Sequence, residues 1–259
     1  MSGSGFQSVV SHVPTVSLAE VEQAAPLIFR RERKYLVPEH IATGLVQEIA
    51  EHVRVLSIEG QNFSHYESVY FDTTNRESYF MSARSRRHAY KVRTRSYLES
   101  KTSLLEVKQR GSRSQNQKFR VDHMFNQRTR MDAQDAAFAT ATLGKTVEAG
   151  DMSPALTVTY IRTTLLVSDG SRLTIDADLH IADATGQASR LDGYVVIETK
   201  SRSKPTIADR ALWHMGYRPN RFSKFGTGSA LLHPELPANR WVRVLRAPWT
   251  YGARKADRA

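Results

Sequence analysis

Cysteine is absent from all 259 residues, which excludes disulfides, thiolate zinc sites, iron–sulfur clusters and thiol nucleophiles together. That fits a reducing compartment, and the cytoplasm is the expected location. Long apolar runs are missing as well: no stretch approaches the roughly 18 consecutive apolar residues of a membrane helix, so direct membrane insertion is not expected. The opening MSGSGFQSVVSHVPTVSLAEVEQAAP has neither a basic start nor a continuous apolar stretch, and does not read as a signal peptide. Acidic residues are scarce beside basic ones. With 26 Asp+Glu against 37 Lys+Arg the formal net charge is +11, an excess that attracts nucleic acid, anionic lipid, nucleotides or polyphosphate. Familiar catalytic signatures are also lacking. There is no GxSxG and no GxGxxG, and the nine histidines show no HExxH spacing. LGKT at residues 143–146 lacks the earlier glycine of a phosphate-binding loop, since Ala139 stands there.

What is present is an ordinary globular composition, 40% hydrophobic and 9% aromatic, in a chain long enough for one large or two small domains. Residues 1–26 read as a flexible N-terminal arm, 27–238 as the folded body and 239–259 as a basic C-terminal tail. Helical spacing of Ile41, Leu45, Val46, Ile49 and Val53 predicts a helix over residues 37–56. MDAQDAAFATATL from Met131 and PTIADRALWHMG ending at Gly216 are two further helices. The remainder is short and rich in Val, Ile, Thr, Tyr and Phe. This predicts an α+β chain, mostly antiparallel β, with roughly eight strands and three or four helices.

The charge is patterned with the period of a strand. Lys91, Arg93 and Arg95 alternate with Tyr90, Val92 and Thr94; Glu106, Lys108 and Arg110 with Leu105 and Val107; Lys118, Arg120 and Asp122 with Phe119 and Val121. Arg162 shares a face with Tyr160 and Thr164. Arg172, Asp176 and Asp178 lie opposite Leu173, Ile175 and Leu179, Glu198 and Lys200 opposite Val195 and Ile197, and Arg30, Glu32 and Lys34 open the series. A single such strand is an ordinary solvated face. Many together concentrate like charges that repel across neighbouring strands unless a polyanion neutralises them. Closed into a barrel with these faces inward, the sheet would be polar inside, with helices covering its apolar exterior. Asp176 and Asp178 read either as metal ligands or as partners of the surrounding arginines.

The ordered set ERKYLV (Glu32, Lys34), YFDT at residues 70–73, KVRTRSY, LEVKQR (Glu106, Lys108), YIRT (Arg162), LTIDADL after Arg172, VIETKS (Glu198, Lys200) and RFSKFGTG (Lys224) resembles the VTC domain. That is the catalytic domain of the vacuolar transporter chaperone polyphosphate polymerases, among the CYTH-like triphosphate tunnel metalloenzymes. The likeness spans about Leu27 to Leu232. It implies an eight-stranded closed antiparallel β-barrel with a few helices outside, whose tunnel binds triphosphate and Mn²⁺ or Mg²⁺. The implied activity transfers the γ-phosphate of ATP to a growing polyphosphate chain. Catalytic cations would be Arg93, Arg95, Lys108 and Lys224, and phosphate-binding ones Lys34, Lys91, Lys118, Arg120, Arg162, Arg172 and Lys200. Glu198 and then Glu32 would hold the metal, with Glu106 orienting a lysine. The wider superfamily often opens with ExExK, but Arg30 stands at its first acidic position, which favours the VTC branch. Residues before Leu27 leave no room for the inositol-phosphate-sensing domain of the eukaryotic proteins and no membrane segment follows, so regulation and product translocation are expected to come from elsewhere, a membrane-protein partner being one candidate, or to be missing. Two rivals stay open: hydrolysis of short triphosphates by the same tunnel, and a non-catalytic polyanion or nucleic-acid binder. No RNA-stacking motif is present, and acids inside the cationic face have no use in a pure binder.

Overall fold

Alternating apolar and charged side chains make the strands of this chain, and the computed structural model describes residues 5–25, 31–111, 116–202 and 204–253. Arg30 lies outside the described residues. The first elements are α1 (Gly5–Val10), β1 (Thr15–Val16), α2 (Leu18–Ala24), β2 (Arg31–Pro38), α3 (Glu39–Glu48) and β3 (Val53–Leu56). They are followed by β4 (Ser64–Thr73), α4 (Glu77–Ala83), β5 (Tyr90–Tyr97), β6 (Thr102–Arg110), β7 (Asn116–His123) and α5 (Ala133–Leu143). Next come β8 (Met152–Val167), β9 (Arg172–Ala182), β10 (Gln187–Leu191) and β11 (Tyr194–Ser201). The chain then forms α6 (Ile207–His214), α7 (Lys224–Leu232), α8 (Val242–Leu245) and β12 (Trp249–Ala253). The α+β class and the antiparallel bias hold; β1 beside β3 is a parallel pair.

Two compact units share these elements. The first takes the described parts of residues 1–64, 160–179 and 191–222. Its β11 lies between β2 and β9, antiparallel to both, with Glu198 opposite Lys34 and Lys200 opposite Glu32. The apolar face of this sheet (Tyr35, Val37, Leu173, Ile175, Val195, Ile197) packs on Leu45 and Val46 of α3 and on Ala208 and Leu212 of α6. Two capping features hold α6 there. Thr206 and Asp209 form a reciprocal capping box, and buried Asp209 also accepts from Tyr35 (2.6 Å), Thr199 (2.7 Å) and Arg33 (3.1 Å).

The second unit takes the described parts of residues 65–159, 180–190 and 223–259. The strand order β12-β10-β9-β8-β4-β5-β6-β7 runs through it, with most of β9 and half of β8 belonging to the first unit. Val69, Phe71, Tyr90, Val92, Leu105 and Val107 line its apolar face beneath Ala136 and Ala139 of α5. Among the described residues β7 and β12 are the two ends of this order, so the ladder is open.

Three sequence expectations change. The segment 5–25 is no loose arm: α1, β1 and α2 form, and Phe6 and Val10 are fully buried in the first unit's core. Val16, Val21 and Ala25 pack in a second cluster with Leu166. The helix expected over 37–56 stops at Glu48, because Val53 and Val55 are strand residues paired with Val167 and Leu165 of β8. The β-branched pair reads equally as the end of a helical stripe or as an alternation. The tail is built in as well: Trp241 is buried, and β12 pairs with β10.

Candidate functional site

Each unit carries its charge on the sheet face opposite its helices, gathered about one buried glutamate. In the second unit that residue is Glu106, 2% exposed in the middle of β6. The register puts Arg93 of β5 and Arg120 of β7 directly opposite it on either side. Arg93 donates from Nε (2.8 Å) and Nη2 (2.6 Å) to Glu106 Oε2 and from Nη1 to the Tyr70 hydroxyl (2.8 Å). Lys118 pairs with Glu106 Oε1, and Arg95 Nε lies 3.6 Å from Oε2. Burial pushes the Glu106 carboxyl up, but Arg93 and Lys118 outweigh it and hold the group below the usual carboxylate range. For Lys118 burial wins, lowering its pKa despite Glu106.

The next row of the same face is unusual. Lys91, Lys108 and Lys118 stand directly opposite one another across β5, β6 and β7. Like charges so placed repel. Lys91 also donates to Ser223 Oγ (2.8 Å), and Ser223 caps the first turn of α7 by accepting from the Gly226 amide. Lys224 is the first residue of that helix. The helix is aligned by Phe225, stacked on Tyr70 with ring centroids 5.2 Å apart. Tyr70 therefore links α7 to Arg93.

In the first unit the centre is Glu198 of β11. Lys34 Nζ donates to its Oε2 at 2.7 Å, and Lys200 Nζ lies 2.6 Å from Oε1. Burial would raise the Glu198 pKa; Lys200 and Lys34, a hydrogen bond with Glu32 and the charge of Arg162 hold it well below the ordinary range. Burial likewise opposes the Lys34 charge, but Glu198 and Glu32 keep that ammonium protonated above its usual range. Arg162 grips Asp176 with two hydrogen bonds (2.6 and 2.8 Å) and lies over the Tyr160 ring. Asp176 is thus an arginine partner, and Asp178 is exposed with φ +50°. Arg172 stands directly opposite Lys200, and its Nη2 also donates to the Val21 and Ala25 carbonyls at 3.3 Å, at the C-terminal end of α2.

The donor chemistry of the Glu198 and Glu32 pair fits a hard divalent cation. Glu198 Oε1 is buried and faces the Lys200 ammonium at 2.6 Å, so a cation bound there would displace that ion pair; with Glu32 the residue offers carboxylate oxygens of the kind that suit Mg²⁺ or Mn²⁺, which keep the rest of their shell for water and phosphate. Among the described residues no group of three or more His, Cys, Asp or Glu could hold a metal by itself, so phosphate would have to complete the shell. The pairings of Arg93, Arg95, Lys118, Lys34, Lys200 and Arg162 with carboxylates were foreshadowed by the alternation. Tyr70 and Ser223 were not, because nothing in YFDT or RFSK reveals that α7 stacks on β4.

The family model described as VTC domain matches residues 29–233. A search of curated proteins finds no match. Among solved structures, the Hippeastrum protein HpAC1, described as an adenylyl cyclase with a dominant triphosphatase activity, is similar at 14% identity and a TM-score of 0.51, over 81% of this chain and 98% of its own. The PH1819 protein of Pyrococcus horikoshii OT3 is similar at 14% identity and a TM-score of 0.44, over 76% and 97% of the two chains. At 14% identity the likeness to HpAC1 is one of fold.

Proposed function

Because the chain belongs to the VTC domain family, we propose that it is a triphosphate-handling enzyme, and within that class a polyphosphate polymerase that moves the γ-phosphate of ATP onto a polyphosphate chain. The observation that carries this reading is the row of Lys91, Lys108 and Lys118 in direct cross-strand register beside Arg93, Glu106 and Arg120. Such a row repels itself in isolation and becomes favourable when successive phosphates neutralise it. A closed barrel around the charged faces is part of the proposal. So are the roles of Arg95 and Lys224 beside Arg93 on the transferring group, and of Lys34, Lys200, Arg162 and Arg172 on phosphate in the first unit, Arg172 standing directly opposite Lys200 across β9 and β11.

Phosphoryl transfer asks for alignment and charge neutralisation rather than covalent help. A terminal phosphate oxygen of the chain attacks the γ-phosphorus. The new P–O bond forms as the bond from γ-phosphorus to the β,γ-bridging oxygen breaks, and ADP leaves with that electron pair. The nucleophile is already an anion, so no general base is needed. Arg93, fixed on two sides by Glu106 and Tyr70, is preorganised to meet the equatorial charge of the transition state. Glu198 and Glu32 would hold Mn²⁺ or Mg²⁺, which when bound neutralises phosphate charge.

Hydrolysis differs in one respect: water must lose a proton. Purified protein incubated with ATP and either metal, with and without a short polyphosphate primer, should yield ADP and a ladder of polyphosphate on a gel. ADP with orthophosphate alone would assign the triphosphatase reading, and no ADP under any of these conditions would defeat the enzyme reading.

A further inference from the structure

The charged face of the second unit does not end at the lysine row. Arg110 follows Lys108 by two residues on β6 and shares its face. Its amide donates to the Ala89 carbonyl (2.9 Å) and its Nη1 to the Ser85 carbonyl (3.2 Å). Those contacts draw in the segment between α4 and β5, which carries Arg84, Arg86, Arg87 and His88, all exposed. The segment is ordered by its own backbone. Arg84 N–H donates to Phe80 (3.0 Å), Arg86 N–H to Met81 (2.9 Å) and Ala89 N–H to Arg86 (3.2 Å), while Ser85 turns the chain at φ +55°.

Nearer the centre of the face Arg93, Arg95 and Lys118 have Glu106 beside them, whereas this end of the face has no such carboxylate among the described residues. Among the described residues no carboxylate pairs with Arg84, Arg86, Arg87 or Arg110; their side-chain contacts are the Ser85 carbonyl for Arg110 and the Phe80 ring, 5.1 Å from the Arg84 guanidinium. Phe80 is covered by that arginine, so apart from the His88 ring the segment offers cations and not an aromatic surface for a base to stack on.

We propose that Arg84, Arg86, Arg87 and Arg110 form an outer subsite for the distal phosphates of a long polyphosphate chain whose reacting end lies on the Lys91, Lys108 and Lys118 row. This rests on the polyphosphate reading of that row. A long chain engages both places together, so the subsite acts on chain length and processivity and not on the transfer step.

The test uses the full-length protein, wild type and the double variant Arg86→Ala/Arg87→Ala, with Arg86→Lys/Arg87→Lys as the charge-preserving control. Binding of labelled long-chain polyphosphate, tripolyphosphate and a DNA duplex is measured over a salt series, alongside initial ADP formation and product length. The alanine variant should bind long chains about tenfold more weakly with a shallower salt slope, keep tripolyphosphate affinity within about twofold, and make shorter products at an unchanged initial rate. The lysine control should behave as wild type. Unchanged long-chain affinity in the alanine variant, or equal loss for tripolyphosphate, overturns the subsite. Wild-type preference for the duplex, lost in the same variant, overturns it in favour of nucleic acid. A wild type that makes no ADP but shows the chain-length difference defeats the polymerase reading and leaves the subsite standing.

Discussion

Glu106 organises more charge than any other residue of the second unit, and its removal separates two roles. Its carboxyl is held below the usual range by Arg93 and Lys118 against the pull of burial. A depressed acid contributes stability above its unfolded pKa, about 4.3 for Glu, and loses it as pH falls through the lower folded value. Glu106→Gln should therefore be less stable than wild type at neutral pH. The expected loss is about 1–3 kcal/mol, since the cations it leaves behind keep some contact with water. The gap should close as pH drops below about 4.3, and urea titrations at neutral and acid pH read it directly. A gap that widened in acid would contradict the assignment. Arg93→Ala tests the same cluster kinetically. If Arg93 meets charge that develops only in the transition state, ADP formation should fall by about 10²–10³-fold with much less change in ATP affinity. Equal losses in both would make Arg93 a binding residue alone.

At the scale of elements, the legible part of the fold is the part whose period is local. β5, β6, β2 and β11 each show in the sequence which side chains share a face, and the carboxylates of LEVKQR and VIETKS are found among the cations for that reason. α7 is different. Its KFGTGSALL offers two glycines and little helical propensity, and only the packing explains them. A Cβ on Gly226 would lie 2.1 Å from Trp241 Cζ2, and one on Gly228 would lie 2.8 Å from Leu156 Cδ2. The glycines mark close approaches by a residue read as tail and by β8, contacts that no window of sequence contains. Phe6, Val9, Val10 and Val13 do stand at helical spacing, but the stripe is short and set among small polar residues, and it reads as an arm until its core contacts are seen. Gly226→Ala should cost about 1–3 kcal/mol through overpacking, less the roughly 1 kcal/mol that alanine gains in a helix. In a Trp241→Ala background the same substitution should be neutral or stabilising. Thermal unfolding of the four proteins gives the coupling, and additive effects would place Trp241 away from α7 in solution.

For the whole molecule the decisive quantity is the excess of eleven positive charges, much of it set on two sheet faces where Glu106 and Glu198 offset only the nearest cations. The folded chain holds these cations together and the unfolded chain lets them separate, so the ligand-free fold works against its own field. A polyphosphate binds the folded state and relieves that repulsion, adding RT ln(1 + [L]/Kd) to stability, about 2.7 kcal/mol at a hundredfold excess over Kd. Tripolyphosphate should accordingly raise the unfolding temperature at low ionic strength. Salt should shrink that increment steeply, because each phosphate contact trades against released counterions. Lys108 stands between Lys91 and Lys118, so Lys108→Gln should move the two measurements in opposite directions. The ligand-free protein should gain about 0.2–1 kcal/mol through lost repulsion, while the increment from tripolyphosphate falls. Differential scanning at two salt concentrations, with and without tripolyphosphate, measures all four values. A variant that loses stability in the ligand-free state and keeps the full increment would show that the lysine row serves the fold and not an anion.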